Sequence, residues 1–110
     1  MLNSIKTAIG SNATFTWVPA DFLNANDVRG WRHMTCWLPP TGPTAGFLRR
    51  SNAKAVAAGL TFRPLSVTAK DTLAWLATLP DDERKKYRSS GIKREKEDQV
   101  LAAWKDKKGV

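Results

Sequence analysis

Leu2, Ile5 and Ile9 fall at helical spacing at the start of the chain, and Gly10 supplies a natural stop. The next apolar residues follow a different period. Phe15 and Trp17 alternate with Thr14 and Thr16 in "ATFTWV", the pattern of a half-buried strand. Pro19 suits a first helical turn and opens a short helix over "PADFLNAND", with Phe22 and Leu23 facing inward. A long connection punctuated by glycine and proline follows, "VRGWRHMTCWLPPTGPTAG". Loops of this length are uncommon in small domains and are often functional. This one carries Trp31 and Trp37, which a mere linker does not need.

Beyond the loop, "GFLRR" reads as a short strand, with Arg49 and Arg50 on opposite sides of it. Ser51 is placed to cap a helix through Ala58, and Gly59 to end it in a left-handed turn. "LTFRP" reads as a second strand, stopped by Pro64. Together these predict a tight, right-handed parallel βαβ unit, with Ala53, Ala57 and Ala58 letting the helix lie close to the sheet. Thr68 and Asp71 form a capping-box-like start for a helix running to about Leu79, with Leu73, Trp75 and Leu76 on its inner side. Pro80 breaks the chain before the charged run "DDERKKYRSS". A last helix is expected from about Lys93 to Lys107, with Val100, Leu101 and Trp104 as its inner stripe and Arg94–Asp98 at i,i+4 spacing. The expected fold class is therefore α+β: one small domain over residues 1–110, with a short parallel βαβ unit and several packed helices.

Composition narrows the class without naming a chemistry. A hydrophobic fraction of 42% against 25% charged residues is that of a folded globular chain rather than a disordered one. Five tryptophans in 110 residues point to anchors in a core or an interface. The net charge of +8 is spread along the chain. Residues 1–80 hold eight Lys/Arg against three Asp/Glu, and the remainder holds ten against seven. Such a diffuse excess draws anions but carries no sequence-reading motif, so nucleic acid ranks last among partners. Cys36 is the only cysteine, which rules out an internal disulfide and suits a reducing, cytoplasmic compartment. With His33 it makes too few ligands for a metal, and a buried or half-buried structural thiol is the expected role. No apolar run reaches membrane-spanning length.

The run "SNAKAVAAGLTFRPLSVTAKDTLAWL" resembles the carboxy-terminal signature of NAD-dependent epimerase/dehydratase proteins, the extended short-chain dehydrogenase/reductases. The residues that carry the likeness are Lys54, Gly59, Leu60, Pro64, Thr68 and Trp75. "FTWVPADFL", Trp31, the Trp37–Pro40 run and "KREKEDQVLAAW" are similar in the same order, so the likeness covers nearly the whole chain. It also marks what is missing. The family holds its dinucleotide on a Gly-rich turn at a helix N-terminus, and the seven glycines here build no such pattern. The family's catalytic tyrosine is followed four residues later by lysine, whereas Tyr87, the only tyrosine, is followed there by Gly91. The resemblance thus implies a substrate-binding portion lacking the Rossmann half, with no catalytic, cofactor-binding or metal-binding residue of its own. NAD or NADP is implied only for the complete family protein.

Three classes of function follow. The first is this substrate-side portion of an oxidoreductase, with Trp31, Trp37 and Phe47 lining a pocket and Arg32, His33 or Arg63 offering polar contacts to a small molecule. Ordinary packing of the loop onto the core, and an exposed strand arginine at Arg63, are the competing readings of those residues. The second class is a free-standing module for a small molecule or a protein. The third is a non-specific nucleic-acid binder, which no recognised motif supports. A chain with so small a core is expected to cover its apolar faces by homo-oligomerisation or by docking on the missing Rossmann domain.

Overall fold

The computed structural model describes residues 1–109, and among them the regular elements are helices. They are α1 (Leu2–Ala8), α2 (Ala20–Ala25), α3 (Ala53–Ala57), α4 (Leu65–Thr78), α5 (Asp81–Arg88) and α6 (Arg94–Lys108), with short 3-10 turns at Gly42–Thr44 and Phe47–Arg49. The chain divides into two compact units, Met1–Phe15 with Ser51–Arg88, and Thr16–Arg50 with the segment from Ser89 onward. Among the described residues no helix is long and apolar enough to cross a membrane.

This architecture overturns the expected α+β class. No parallel βαβ unit forms among the described residues, and the only strand-like pairing is an isolated bridge between Gly30 and Met34. A strand is stable only when a neighbour accepts its backbone hydrogen bonds, and alternation of side chains cannot supply that neighbour. "GFLRR" curls instead into the 3-10 turn, where the Arg49 amide donates to the Gly46 carbonyl at 3.1 Å. With its partner gone, "LTFRP" is irregular and leaves Phe62 68% exposed. "ATFTWV" is likewise irregular, with Trp17 at 74%. The idea that Arg49 and Arg50 flank a strand falls with it.

In the first unit α1 packs on α4. Pro64 has extended backbone and sets the start of α4, four residues earlier than the Thr68 capping box predicts. The helix begins there because Leu65, Ala69, Leu73 and Leu76 form one continuous stripe, which a start at Thr68 would cut short. Thr68 and Asp71 take another role. The Arg63 guanidinium donates to Thr68 Oγ1 through Nε and to Asp71 Oδ2 through Nη1, both at 2.8 Å. Arg84 closes the other end of α4, donating from Nη2 to the Leu79 carbonyl at 2.8 Å. It stands on α5, a helix the apolar pattern does not announce. Its stability comes from charge: Asp81, Asp82 and Glu83 fill the first turn and Lys85, Lys86 and Arg88 the last, each complementing the helix dipole.

The second unit holds the core. Leu23, Val28 and Val100 are buried there, and Val18, Phe22, Trp37 and Ile92 pack against them. Phe22 also meets Trp104 edge-on, with ring centroids 4.9 Å apart. The expected inner faces of α2 and α6 are therefore the observed ones. On α6 the Arg94–Asp98 pair forms at 3.4 Å and the helix ends at Gly109, whose φ of +67° favours glycine.

Candidate functional site

The second unit carries an open cavity of 480 Å³ built from two chain segments. One is the loop after α2, contributing Trp31, Arg32, His33 and Thr35. The other is the turn before α6, contributing Ser89, Ser90, Gly91 and Lys93.

The loop is fixed by its own backbone. The Trp31 amide donates to the carbonyls of Met34 and Trp37, at 3.0 and 2.9 Å, and the His33 amide donates to the Arg29 carbonyl at 3.0 Å. Asp27, Trp31 and Cys36 all lie at positive φ, and for a side chain as large as Trp31, at +64°, that is a strained conformation. Gly30 is required on steric grounds, since a Cβ there would sit 2.8 Å from the Trp37 carbonyl oxygen. The loop thus folds tightly on itself and holds the Trp31 ring 58% exposed. Phe47 supports that ring edge-on at 5.8 Å.

The two segments are joined by one backbone bond, from the Ile92 amide to the His33 carbonyl at 2.9 Å. Gly91, at φ +88°, lets the turn approach that carbonyl closely. His33 Nδ1 accepts a hydrogen bond from the Arg29 amide at 2.9 Å, so in this tautomer the ring proton sits on Nε2. Lys93 Nζ donates to the Ser89 carbonyl at 2.9 Å, which ties the ammonium to the turn. Among the described residues no carboxylate lines the cavity. Asp27, the acid closest to Trp31 in sequence, is paired with Arg29 at 2.9 Å.

Of the six residues read from the sequence as substrate contacts, Trp31, Arg32 and His33 come together here. Phe47 stands behind Trp31 and lines a neighbouring cavity of 330 Å³ with Pro43, Thr44, Gly46 and Arg50. Trp37 packs against the core. Arg63 belongs to the other unit and is engaged by Thr68 and Asp71. Sequence reasoning missed the second wall. Its signal was the Ser-Gly dipeptide in "RSSGIK", a turn mark directly before a helix.

The arrangement holds cations, hydroxyls and an exposed indole, which suits binding. Cys36 is exposed rather than the buried or half-buried thiol expected, and His33 Nδ1 accepts from the Arg29 amide. Among the described residues no group of three or more His, Cys, Asp or Glu is placed to hold a metal. The glycines at positive φ, Gly10, Gly42, Gly59, Gly91 and Gly109, stand in separate turns, none of which follows a strand. No family model, curated protein or solved structure matches the chain.

Proposed function

We propose that this chain is the ligand-binding, non-catalytic portion of an NAD(P)-dependent epimerase/dehydratase-like oxidoreductase, working in the cytoplasm. The observation that carries the reading is the clustering of Trp31, Arg32 and His33 around one open cavity in a chain whose sequence has neither a dinucleotide turn nor a Tyr–Lys pair. On this reading the cofactor and the proton-transfer groups come from a Rossmann portion, and this chain contributes the pocket wall that holds a small molecule. The alternative is a free-standing binding module. It is favoured by the fact that both walls of the cavity belong to one compact unit.

Cofactor titration tests the non-catalytic assignment. NADH or NADPH added to the full chain is expected to leave tryptophan fluorescence without saturable quenching. Saturable quenching competed by NAD⁺ or NADP⁺ would overturn the assignment. Mixing the chain with a Rossmann portion of the resembled family then separates the two readings: association restores cofactor-dependent turnover on the first and has no effect on the second.

A further inference from the structure

We propose that the Trp31–Lys93 cavity takes a small molecule bearing an oxyanion, a phosphate or a carboxylate, held by Arg32 and Lys93 with its organic part against Trp31. The proposal deepens the binding-site reading above and rests on it. Charge is the first argument. Two permanent cations, Arg32 and Lys93, line the cavity with His33, Thr35 and Ser90, and among the described residues no carboxylate lines it. Glu95 and Glu97 stand on the first turn of α6, outside the lining.

Arg32 itself is the second argument. Arg29, three residues earlier, bonds Asn24 Oδ1 and Asp27. The Arg32 guanidinium is exposed and makes no hydrogen bond or ion pair among the described residues. Its planar fork of donors matches an oxyanion in two-point geometry. Lys93 differs in being tied to Ser89 through one of its three N–H groups, which leaves two for a ligand.

Size is the third argument. At 480 Å³ the cavity is within the range of small-molecule sites and far larger than a bare phosphate needs. The remaining space adjoins the exposed face of Trp31, which offers a flat apolar platform for a ring or chain.

The experiment uses the full chain labelled with ¹⁵N, titrated with inorganic phosphate and separately with acetate at fixed ionic strength. Saturable shifts are expected at the Trp31 indole and at the Gly91 and Ile92 amides. Arg32→Gln and Lys93→Gln are each expected to weaken phosphate affinity by roughly tenfold, the effect of losing a charge-assisted hydrogen bond. Lys54→Gln, which makes the same charge change on exposed α3, is expected to leave affinity unchanged. Arg32→Lys serves as a second variant and is expected to retain an intermediate affinity, with melting curves confirming that every variant is folded. Unsaturable shifts spread over all lysines and arginines, or an equal loss in Lys54→Gln, would overturn the proposal. So would binding of an uncharged compound or of oligothymidylate at Trp31 without any response to phosphate or acetate. An uncharged ligand at Trp31 would remove the oxyanion while leaving the binding-site reading in place.

Discussion

Gly30 and Gly46 show how differently two glycines of one loop are constrained. A Cβ on Gly30 would meet the Trp37 carbonyl oxygen at 2.8 Å and the Pro39 ring at 3.1 Å. Both are parts of the backbone turn that holds Trp31, so neither can swing aside. Gly46 has nothing within 4 Å and a φ of −87°, which any residue adopts. Gly30→Ala is therefore expected to destabilise the fold by about 1–3 kcal/mol, the cost of forcing atoms into a packed site. Gly46→Ala is expected to be neutral or to stabilise by about 0.4–1 kcal/mol through the unfolded chain. Urea denaturation of the two variants checks both signs, and equal effects would mean that the loop is looser than its hydrogen bonds indicate. The strain at Trp31 belongs to the same scale: this backbone tolerates a left-handed tryptophan because its amide is bonded to two carbonyls at once.

Between elements, burial decides what a substitution costs. Val100 on α6 is 4% exposed in the core, so Val100→Ala is expected to cost about 2 kcal/mol. Arg63 holds the start of α4, but its ion pair with Asp71 is more than half exposed on both sides. Arg63→Ala is accordingly expected to cost only about 0.2–1 kcal/mol, less at high salt. Thermal melts at two salt concentrations separate these cases. The same contrast explains what the sequence made legible. The positions of α1, α2 and α6 could be read because their apolar spacing meets a partner within the chain: α1 on α4, and Leu23 with Val100 in one core. The ends set by Gly59 and Pro80 could be read because their backbone preferences are local. The three strands were misread because alternation marks a half-buried surface without naming the ladder that must pair with it. α5 was invisible to apolar periodicity and legible only in the ordering of its acids and bases. The site was half legible for a similar reason. Trp31, Arg32 and His33 are contiguous in sequence, whereas the wall from Ser89 to Lys93 lies far along the chain and is tied to them by the Ile92–His33 backbone bond.

At the scale of the whole chain the governing quantity is uncovered surface. Several large apolar side chains stand exposed, and exposed apolar patches tend to be covered by partners. In the first unit a groove lined by Ile5, Ile9, Leu65, Ala69, Leu73 and Leu76 lies open between α1 and α4, and Leu73 is half exposed. Trp75 on α4 is 47% exposed against Tyr87, whereas Trp104 is already engaged by Phe22. Trp75 is therefore better placed than Trp104 to lie at an interface. We therefore predict that the chain is a dimer or higher oligomer at micromolar concentration, or a stable complex once a Rossmann portion is supplied, with the α4 face covered in either case. Sedimentation gives the first answer. Leu73→Asp supplies the second, because a charge forced into a buried interface has no partner there. It should return the chain to monomer with the second unit's core intact, seen as an unchanged environment at Val100 and Trp104. In a monomer the same substitution falls on a half-exposed position of the α4 stripe, costs roughly 1 kcal/mol and leaves the sedimentation unchanged. A compact monomer insensitive to Leu73→Asp would show that the chain tolerates its open surface unaided.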